Sequence, residues 1–152
     1  MVRAPFQVLV LPYRTSETGE LEFAIFRRSD ADCWQGIAGG GEDDETPLCA
    51  ATREAWEESG ISPVSRFVPL DTTSSVPVTA FPGNRHWGND RYVITEHAFG
   101  VDASGQLITL SSEHTEHRWM PYADAHRLLT FDGNRTALWE LNQKLSGRNP
   151  QD

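Results

Sequence analysis

Hydrophobic positions along the chain fall into short runs that polar, glycine-containing segments separate. The first two runs, Phe6 to Tyr13 and Leu21 to Phe26, lie on either side of the polar sequence RTSETGE. Short apolar runs bounded by turn-forming residues are typical of β-strands. The pattern therefore predicts a β-hairpin in this part of the chain.

The later apolar segments predict further strands. CWQGIAGGG predicts a short strand that runs into a glycine turn. FVPL and VPVTAF predict short extended segments, and RYVITEHAFGV, from Arg91 to Val101, predicts the clearest long strand. HRWMPY predicts a last strand before the chain becomes helical.

Three segments have helical character. In TPLCAATREAWEES we expect Thr46 as the N-cap, Pro47 at the first helical position and Gly60 as the stop. YADAHRLLT and NRTALWELNQKL carry leucines at helical spacings: Leu128, Leu129, Leu138 and Leu141. Strands interrupted by one helix and followed by others predict an α/β fold with a mixed sheet covered on both faces.

Length and composition narrow the function classes. The 152 residues predict one domain over 1–146, with 147–152 as a frayed tail. A hydrophobic fraction of 38% argues against disorder. The net charge of −9 argues against a protein that coats nucleic acid, because such proteins neutralise phosphates with Lys and Arg.

The chain shows no sign of a membrane or a disulfide framework. Its early apolar run is too short to span a bilayer and lacks a signal-peptide pattern, so we expect a cytoplasmic protein with no membrane partner. Cys33 and Cys49 have no metal-ligand spacing. We expect both to be buried free thiols.

The first helix and the residues before it are dense in carboxylates, in the stretch GGGEDDETPLCAATREAWEESGI. On a helical wheel one side is apolar, with Leu48, Ala51 and Ala55. Another face carries carboxylates at spacings of three and four, from Glu54, Glu57 and Glu58. A solvated acidic face is one interpretation. Arg53 is the only base of this helix, however, and hard divalent cations prefer oxygen ligands, which favours a metal site.

The same stretch resembles the complete Nudix box, which fixes nine positions over 23 residues. The matching residues are Gly39, Glu45, Arg53, Glu54, Ala55, Glu57, Glu58, Gly60 and Ile61. Two positions depart from the usual pattern, since Asp44 stands where many members have Gly and Ala55 is a small choice for its apolar position. The order of strands and helices outside the box is similar to the family as well.

The resemblance implies a Nudix-type α/β/α sandwich, with a mixed, partly antiparallel sheet between helices. It implies an enzyme that hydrolyses a diphosphate linked to another group and uses Mg²⁺, with Mn²⁺ as a substitute. Glu54 and Glu58 are then expected as direct metal ligands, Glu57 as a further or water-mediated ligand, and the carbonyl of Ala38 as a backbone ligand. Arg53 belongs to the catalytic box, where we expect it to pair with Glu45 and hold the loop against the helix.

The family often takes a general base, or another metal ligand, from a loop far along the chain. SSEHTEHRWMPY is the corresponding segment here. Glu113 is the first choice for this role and Glu116 the second, because Glu116 is close enough to RWM to anchor a strand instead. For His114 and His117 a surface position is expected.

Several segments resemble the dihydroneopterin triphosphate pyrophosphohydrolase branch of the family, among them RRSDADCWQGIAGG, SEHTEHRWM and DGNRTALWEL. Relatives that act on nucleoside triphosphates share similar segments. The resemblance thus implies a small phosphorylated substrate, either dihydroneopterin triphosphate or a nucleoside triphosphate, that yields a monophosphate and pyrophosphate. The protein is expected to act as a monomer or homodimer and to bind no nucleic acid.

Candidate substrate-binding residues come from three segments. Trp34 and Gln35 offer a stacking face and an amide for a planar ring, although burial in the core is an equal expectation for Trp34. FPGNRHWGNDR offers Arg85 and Arg91 as a clamp for phosphate and base. Arg27 and Arg28 are a further candidate pair. Consecutive strand residues face opposite ways, so at most one of them points inward, and Arg28 is the candidate chosen here.

Other function classes stay open at this point. Nudix hydrolases of nucleoside diphosphate derivatives or dinucleoside polyphosphates would carry the same box. A non-catalytic nucleotide-binding module would be expected to lose the glutamates first, and all of them are present. A prenyl diphosphate isomerase would require an early His/Cys metal arrangement that the sequence lacks.

Overall fold

The computed structural model describes residues 2–81, 87–149 and 151. The strands, in chain order, are β1 (Arg3–Thr15), β2 (Leu21–Arg28), β3 (Trp34–Gln35), β4 (Ile37–Glu42), β5 (Phe67–Pro77), β6 (Val93–Asp102) and β7 (His114–Met120). The helices are α1 (Pro47–Ser59), α2 (Tyr122–Leu128) and α3 (Asp132–Leu145), with a 3₁₀ turn at Val78–Ala80.

The strands form one mixed sheet centred on β1. The order is β3-β2-β1-β6-β5, with β4 also paired to β1 and β7 also paired to β2. β1 and β6 run parallel, while the other pairings are antiparallel. The predicted hairpin of the first two strands is confirmed by the pairing of Tyr13 with Phe23.

Helices cover both faces of the sheet, because side chains along β1 alternate between two hydrophobic clusters. Val8 and Val10 pack with the alanines of α1. Leu9 and Leu11 point the other way and pack with buried residues of the C-terminal helices, including Leu138. The predicted arrangement of a mixed sheet between helices is therefore confirmed.

The predicted start and end of α1 are also confirmed. The Thr46 hydroxyl accepts a hydrogen bond from the Cys49 backbone N–H at 3.2 Å, and Pro47 occupies the first turn. Gly60 ends the helix with a φ of 73°, a left-handed conformation that glycine adopts without a steric penalty.

The side of α1 that packs on the sheet differs from the prediction. Leu48 is 46% exposed. The buried positions are instead small or acidic: Ala50, Ala51, Glu54, Ala55, Glu58 and Ser59. The apolar face and the carboxylate face therefore overlap, because two of the three glutamates project toward the sheet beside the alanines.

Three local expectations were wrong. Gly39 to Gly41 lie in β4 and pair with β1 rather than forming a turn, which comes later at Asp43 with a φ of 49°. FVPL and the start of VPVTAF are extended as predicted, but they belong to the single long strand β5, which pairs with β6 at both ends. Cys33 is buried as expected, but Cys49 is exposed on α1.

Among the helices of the described residues, none is long and apolar enough to cross a membrane.

Candidate active site

A cavity of about 930 Å³ opens beside the start of β1 and β4. It is lined by side chains from both faces of the sheet and by backbone of β4. Glu54 and Glu113 lie on its wall, together with Arg28 and Gln35. Gln7 and Glu96, from two neighbouring strands, also line it, as do residues at the start of α3.

Glu54 is 8% exposed and lies against the backbone of Gly39. A Cβ atom at Gly39 would overlap the Glu54 carboxylate, so glycine is required there for close approach. Burial raises the pKa of Glu54 to about 7, against the hydrogen bond from Arg53, and the charges of Glu57 and Glu58 raise it as well. The desolvation of this carboxylate outweighs its ion pair with Arg53.

Arg53 connects α1 to β4 and to the turn that precedes the helix. Its Nε and Nη2 atoms donate to the two carboxylate oxygens of Glu45, each at 2.9 Å, and Nη2 also donates to the Gly40 carbonyl at 2.8 Å. The predicted pair of Arg53 with Glu45 is therefore confirmed. Nη1 donates to Glu54 Oε1 at 2.9 Å, so this guanidinium also holds Glu54 in place.

Glu57 and Glu58 have different surroundings. The Glu57 side chain is 51% exposed and accepts a hydrogen bond from Arg53 Nη1 at 3.1 Å. Glu58 is buried and accepts a hydrogen bond from the Ser111 hydroxyl at 2.6 Å. Ser111 thereby fixes the loop before β7 to the last turn of α1.

His114 is buried next to Glu58, which corrects the expected surface position. Its Nδ1 atom is 3.6 Å from Glu58 Oε2, and its ring packs on Phe26 with 5.2 Å between centroids. Burial lowers the pKa of His114, which favours the neutral imidazole. His117 is also partly buried beside Phe26, and burial lowers its pKa. The sequence could not show this, because the burial comes from the pairing of β7 with β2.

The loop before β7 brings Glu113, rather than Glu116, to the cavity. The Ser29 N–H donates to the Glu113 carbonyl at 2.9 Å, and the Ser29 hydroxyl donates to the Ser112 carbonyl at 2.9 Å. Burial and then the charge of Glu58 raise the pKa of Glu113. Glu116, on β7, instead forms ion pairs with Arg27 of β2 at 3.8 Å and with Arg118 at 3.3 Å.

The oxygen atoms at the Glu54 end of the cavity are chemically suited to bind a hard divalent cation. Carboxylate oxygens and a backbone carbonyl are the ligands that Mg²⁺ prefers. Glu54 supports this fit, since its buried carboxylate lies in a space that a Cβ atom at Gly39 would fill. Within 2–81, 87–149 and 151, no three His, Cys, Asp or Glu side chains already converge as a metal-binding group. One oxygen of Glu54 is bound by Arg53 instead.

The candidate substrate residues are only partly brought together. Gln35 and Arg28 line the cavity, and the Arg28 Nε and Nη2 atoms donate to Asp30 at 2.8 and 2.5 Å. Trp34 lies in the core on the α2 and α3 side, with the Arg118 guanidinium 4.7 Å from its ring centroid, and it does not line the cavity. Arg91 is exposed and absent from the cavity wall, and Arg85 lies outside the described residues.

Sequence analysis missed several polar residues on the cavity wall. The Arg3 guanidinium lies against Gly40, where a Cβ atom would overlap it, and stacks 4.4 Å from the centroid of the Phe81 ring. Its buried Nε atom has no hydrogen-bond partner among the described residues. Gln7 and Glu96 were detectable in principle, because each interrupts an apolar strand at a position that alternation assigns to the core.

The chain is similar in sequence and in structure to several known proteins. The NUDIX domain model matches residues 5–139. A dihydroneopterin triphosphate diphosphatase of Haemophilus influenzae is 30% identical over 86% of this chain and 83% of its own. An RNA pyrophosphohydrolase of Roseobacter denitrificans is 29% identical over 79% and 84%. A crystal structure from Listeria monocytogenes, described as that of a NUDIX hydrolase, is 40% identical, with a TM-score of 0.84 over 95% of this chain and 96% of its own.

Proposed function

The chain belongs to the Nudix family and is a Nudix hydrolase, and from that premise we propose that it cleaves a small triphosphate with the help of Mg²⁺. The proposed substrate is dihydroneopterin triphosphate or a (deoxy)nucleoside triphosphate, cut between the α and β phosphates to a monophosphate and pyrophosphate. The observation that carries this proposal is the position of the buried Glu54 and the loop residue Glu113 on one cavity wall. A volume of about 930 Å³ suits a ligand of this size.

The carboxylates of α1 supply the proposed metal site. Nudix hydrolases generally use divalent metal ions such as Mg²⁺. Glu54 and Glu58 are proposed as direct ligands, Glu57 as a water-mediated ligand and the Ala38 carbonyl as a backbone ligand. When bound, the ion neutralises phosphoryl oxygens and lowers the pKa of the attacking water. Mn²⁺ is expected to substitute for Mg²⁺, because it accepts the same oxygen donors.

The chain's own residues then position the water and the phosphates. Glu113 is proposed to accept the proton of the attacking water, or to serve as a further metal ligand. Its position on the cavity wall beside Glu54 suits either role. Arg28 and Arg3 are the cations on the cavity wall suited to the polyphosphate, and Arg53 holds Glu54 in position without reaching that wall.

The relatives leave two substrate classes to compare. The names of two relatives, at 30% and 29% identity, specify dihydroneopterin triphosphate and RNA. The net charge of −9 favours the small molecule, because a long anionic strand would be repelled by the rest of the surface. An RNA 5′-triphosphate is therefore the second candidate. A cytoplasmic location and a monomer or homodimer remain part of the proposal.

The test is a panel of triphosphates, an RNA 5′-triphosphate and sugar-linked diphosphates, assayed with Mg²⁺, with Mn²⁺ and with a chelator. We expect release of pyrophosphate from the small triphosphates only when metal is present. In oxygen-18 water the label should enter the monophosphate or the pyrophosphate. Label in orthophosphate, or a clear preference for RNA or a sugar-linked diphosphate, would overturn the substrate proposal. Turnover in the chelator would overturn the metal requirement.

A further inference from the structure

Three polar side chains form a row across the sheet on the face that α3 covers. Gln7 of β1 pairs in register with Glu96 of β6, which pairs in turn with Ser74 of β5. Side chains in such pairs lie on the same face, about 5 Å apart. A Cβ atom at Gly133, in the first turn of α3, would overlap the Ser74 hydroxyl, so the start of α3 lies directly above this row. All four residues line the cavity.

Glu96 is the buried, charged member of the row. It is 7% exposed, and among the described residues its side chain has one hydrogen-bond donor, Gln7 Nε2 at 2.7 Å, and no cationic partner. Burial raises the pKa of Glu96, and the hydrogen bond from Gln7 acts in the opposite direction. A buried carboxylate normally gathers several donors. Glu96 therefore has acceptor capacity left on the cavity side.

Gln7 is held in one orientation, which determines what Glu96 can accept. Arg3 Nη2 donates to Gln7 Oε1 at 3.3 Å, so the amide nitrogen of Gln7 faces Glu96. This nitrogen binds Oε2 of the carboxylate and leaves the other oxygen without a donor in the described part of the chain. A chain of two hydrogen bonds thus runs from Arg3 through Gln7 to Glu96 and fixes the orientation of the Glu96 carboxylate toward a ligand.

A carboxylate in this setting matches a heterocycle with two adjacent N–H donors, because Oε1 has no donor among the described residues and Oε2 can accept a second hydrogen bond beside that from Gln7. The 2-amino-4-oxo pyrimidine edge shared by pterin and guanine presents a ring N–H beside an exocyclic amino group. Adenine presents a ring acceptor at the corresponding place, which a carboxylate repels. Phe131, which is exposed and lines the cavity just before α3, offers an aromatic surface for the flat ring.

We propose that Glu96, oriented by Gln7, recognises the 2-amino-4-oxo edge of a pterin or guanine ring and so excludes adenine. The inference rests on the proposed function, since it places the ring of the same triphosphate substrate. Glu96 acts here in specificity, while the proposed chemistry takes place at Glu54, Glu58 and Glu113. The adjacent Ser74 hydroxyl completes the polar row beneath the ring.

The experiment removes the donors from the ligand and then the charge from the protein. For the native enzyme with Mg²⁺, kcat/KM should fall about tenfold from GTP to ITP, which lacks the amino group, and about tenfold again to ATP. Dihydroneopterin triphosphate should match or exceed GTP. In Glu96→Gln the three purine triphosphates should come within about threefold of one another, with ATP turnover preserved. Glu22→Gln, which removes a partly buried carboxylate paired with Arg14 away from the cavity, should keep the native ratios.

Two results would overturn the inference. One is equal use of GTP, ITP and ATP by the native enzyme, and this comparison decides the matter even if Glu96→Gln does not fold. The other is an equal loss of activity toward all three in a folded Glu96→Gln, which would assign Glu96 to the chemistry. If no triphosphate is hydrolysed, the proposed function fails on its own. Calorimetric binding of GMP, IMP and AMP to native protein and Glu96→Gln then tests the ring preference, and equal affinities would overturn it.

Discussion

Glu54 and Glu140 are both buried carboxylates on helices, and their surroundings are opposite. Glu140, on α3, is 9% exposed and accepts hydrogen bonds from the Asp71 N–H at 2.6 Å and from the Thr72 N–H and hydroxyl at 2.8 and 2.6 Å. The Lys144 Nζ atom lies 3.2 Å from Glu140 Oε2. Glu54 is 8% exposed and has a hydrogen bond from Arg53 as its only donor among the described residues.

The pKa directions express the same difference. Burial would raise the pKa of Glu140, but the donors from Thr72 and Asp71 outweigh it, so the net shift is downward. For Glu54 burial dominates, and the pKa is raised to about 7. A carboxylate that joins two elements is supplied with donors by the fold itself. A carboxylate that the fold leaves undersupplied is the kind found at functional sites.

The strongest test of this contrast is Glu54→Gln. If Glu54 holds a catalytic metal ion, turnover should fall by at least about a hundredfold, because glutamine keeps the shape but removes the charge. The melting temperature without metal should stay the same or rise, since the change relieves a desolvated charge. Turnover is measured with saturating Mg²⁺ on the best triphosphate. Native turnover in a folded Glu54→Gln would mean that Glu54 does not hold a catalytic metal ion and that the carboxylates of α1 have a structural role.

Arg53→Ala removes the cation that forms an ion pair with Glu54 and also breaks the bidentate pair with Glu45. We expect a loss of about 2 to 4 kcal/mol in the free energy of unfolding together with a lower turnover, because a buried carboxylate is left without its partner. Urea denaturation measures the first effect and steady-state kinetics the second. Arg127→Ala, which breaks an exposed pair with Asp124 at 3.2 Å, is the control and should change neither by much. A purely kinetic defect would mean that Arg53 contacts the substrate.

Glu140→Gln is the matched change at the other carboxylate and should give the reverse pattern. Stability should fall by about 1 to 3 kcal/mol, since an amide cannot accept all the hydrogen bonds from β5 and the ion pair with Lys144 is lost. Turnover per folded molecule should stay native, because Glu140 is absent from the cavity wall. A large loss of turnover with unchanged stability would remove the distinction between the two sites.

Local sequence patterns predicted more of the fold than of the site. The caps of α1 and the first hairpin follow from neighbouring residues, since Thr46, Pro47 and Gly60 determine their own backbone positions. Family resemblance pointed to Glu113 and to the Arg53–Glu45 pair. The polar row could not be predicted, because Gln7 meets Glu96 across 89 positions of sequence through the register of β1 and β6. The sequence left the core and the substrate site as equal expectations for Trp34, because its packing depends on helices far along the chain.

The smallest expected effect is the pH dependence of the Glu140 contribution. A carboxylate whose pKa is lowered on folding contributes stability that is fully present above its unfolded pKa and is lost as the pH falls through the folded value. The difference in unfolding free energy between native protein and Glu140→Gln should therefore be constant at neutral pH. It should shrink progressively below the ordinary glutamate pKa of 4.5. Urea denaturation of both proteins in metal-free buffer at several pH values measures this difference. A gap that widens as the pH falls would mean that Glu140 is destabilised by burial, as Glu54 is, and the contrast between the two carboxylates would be lost.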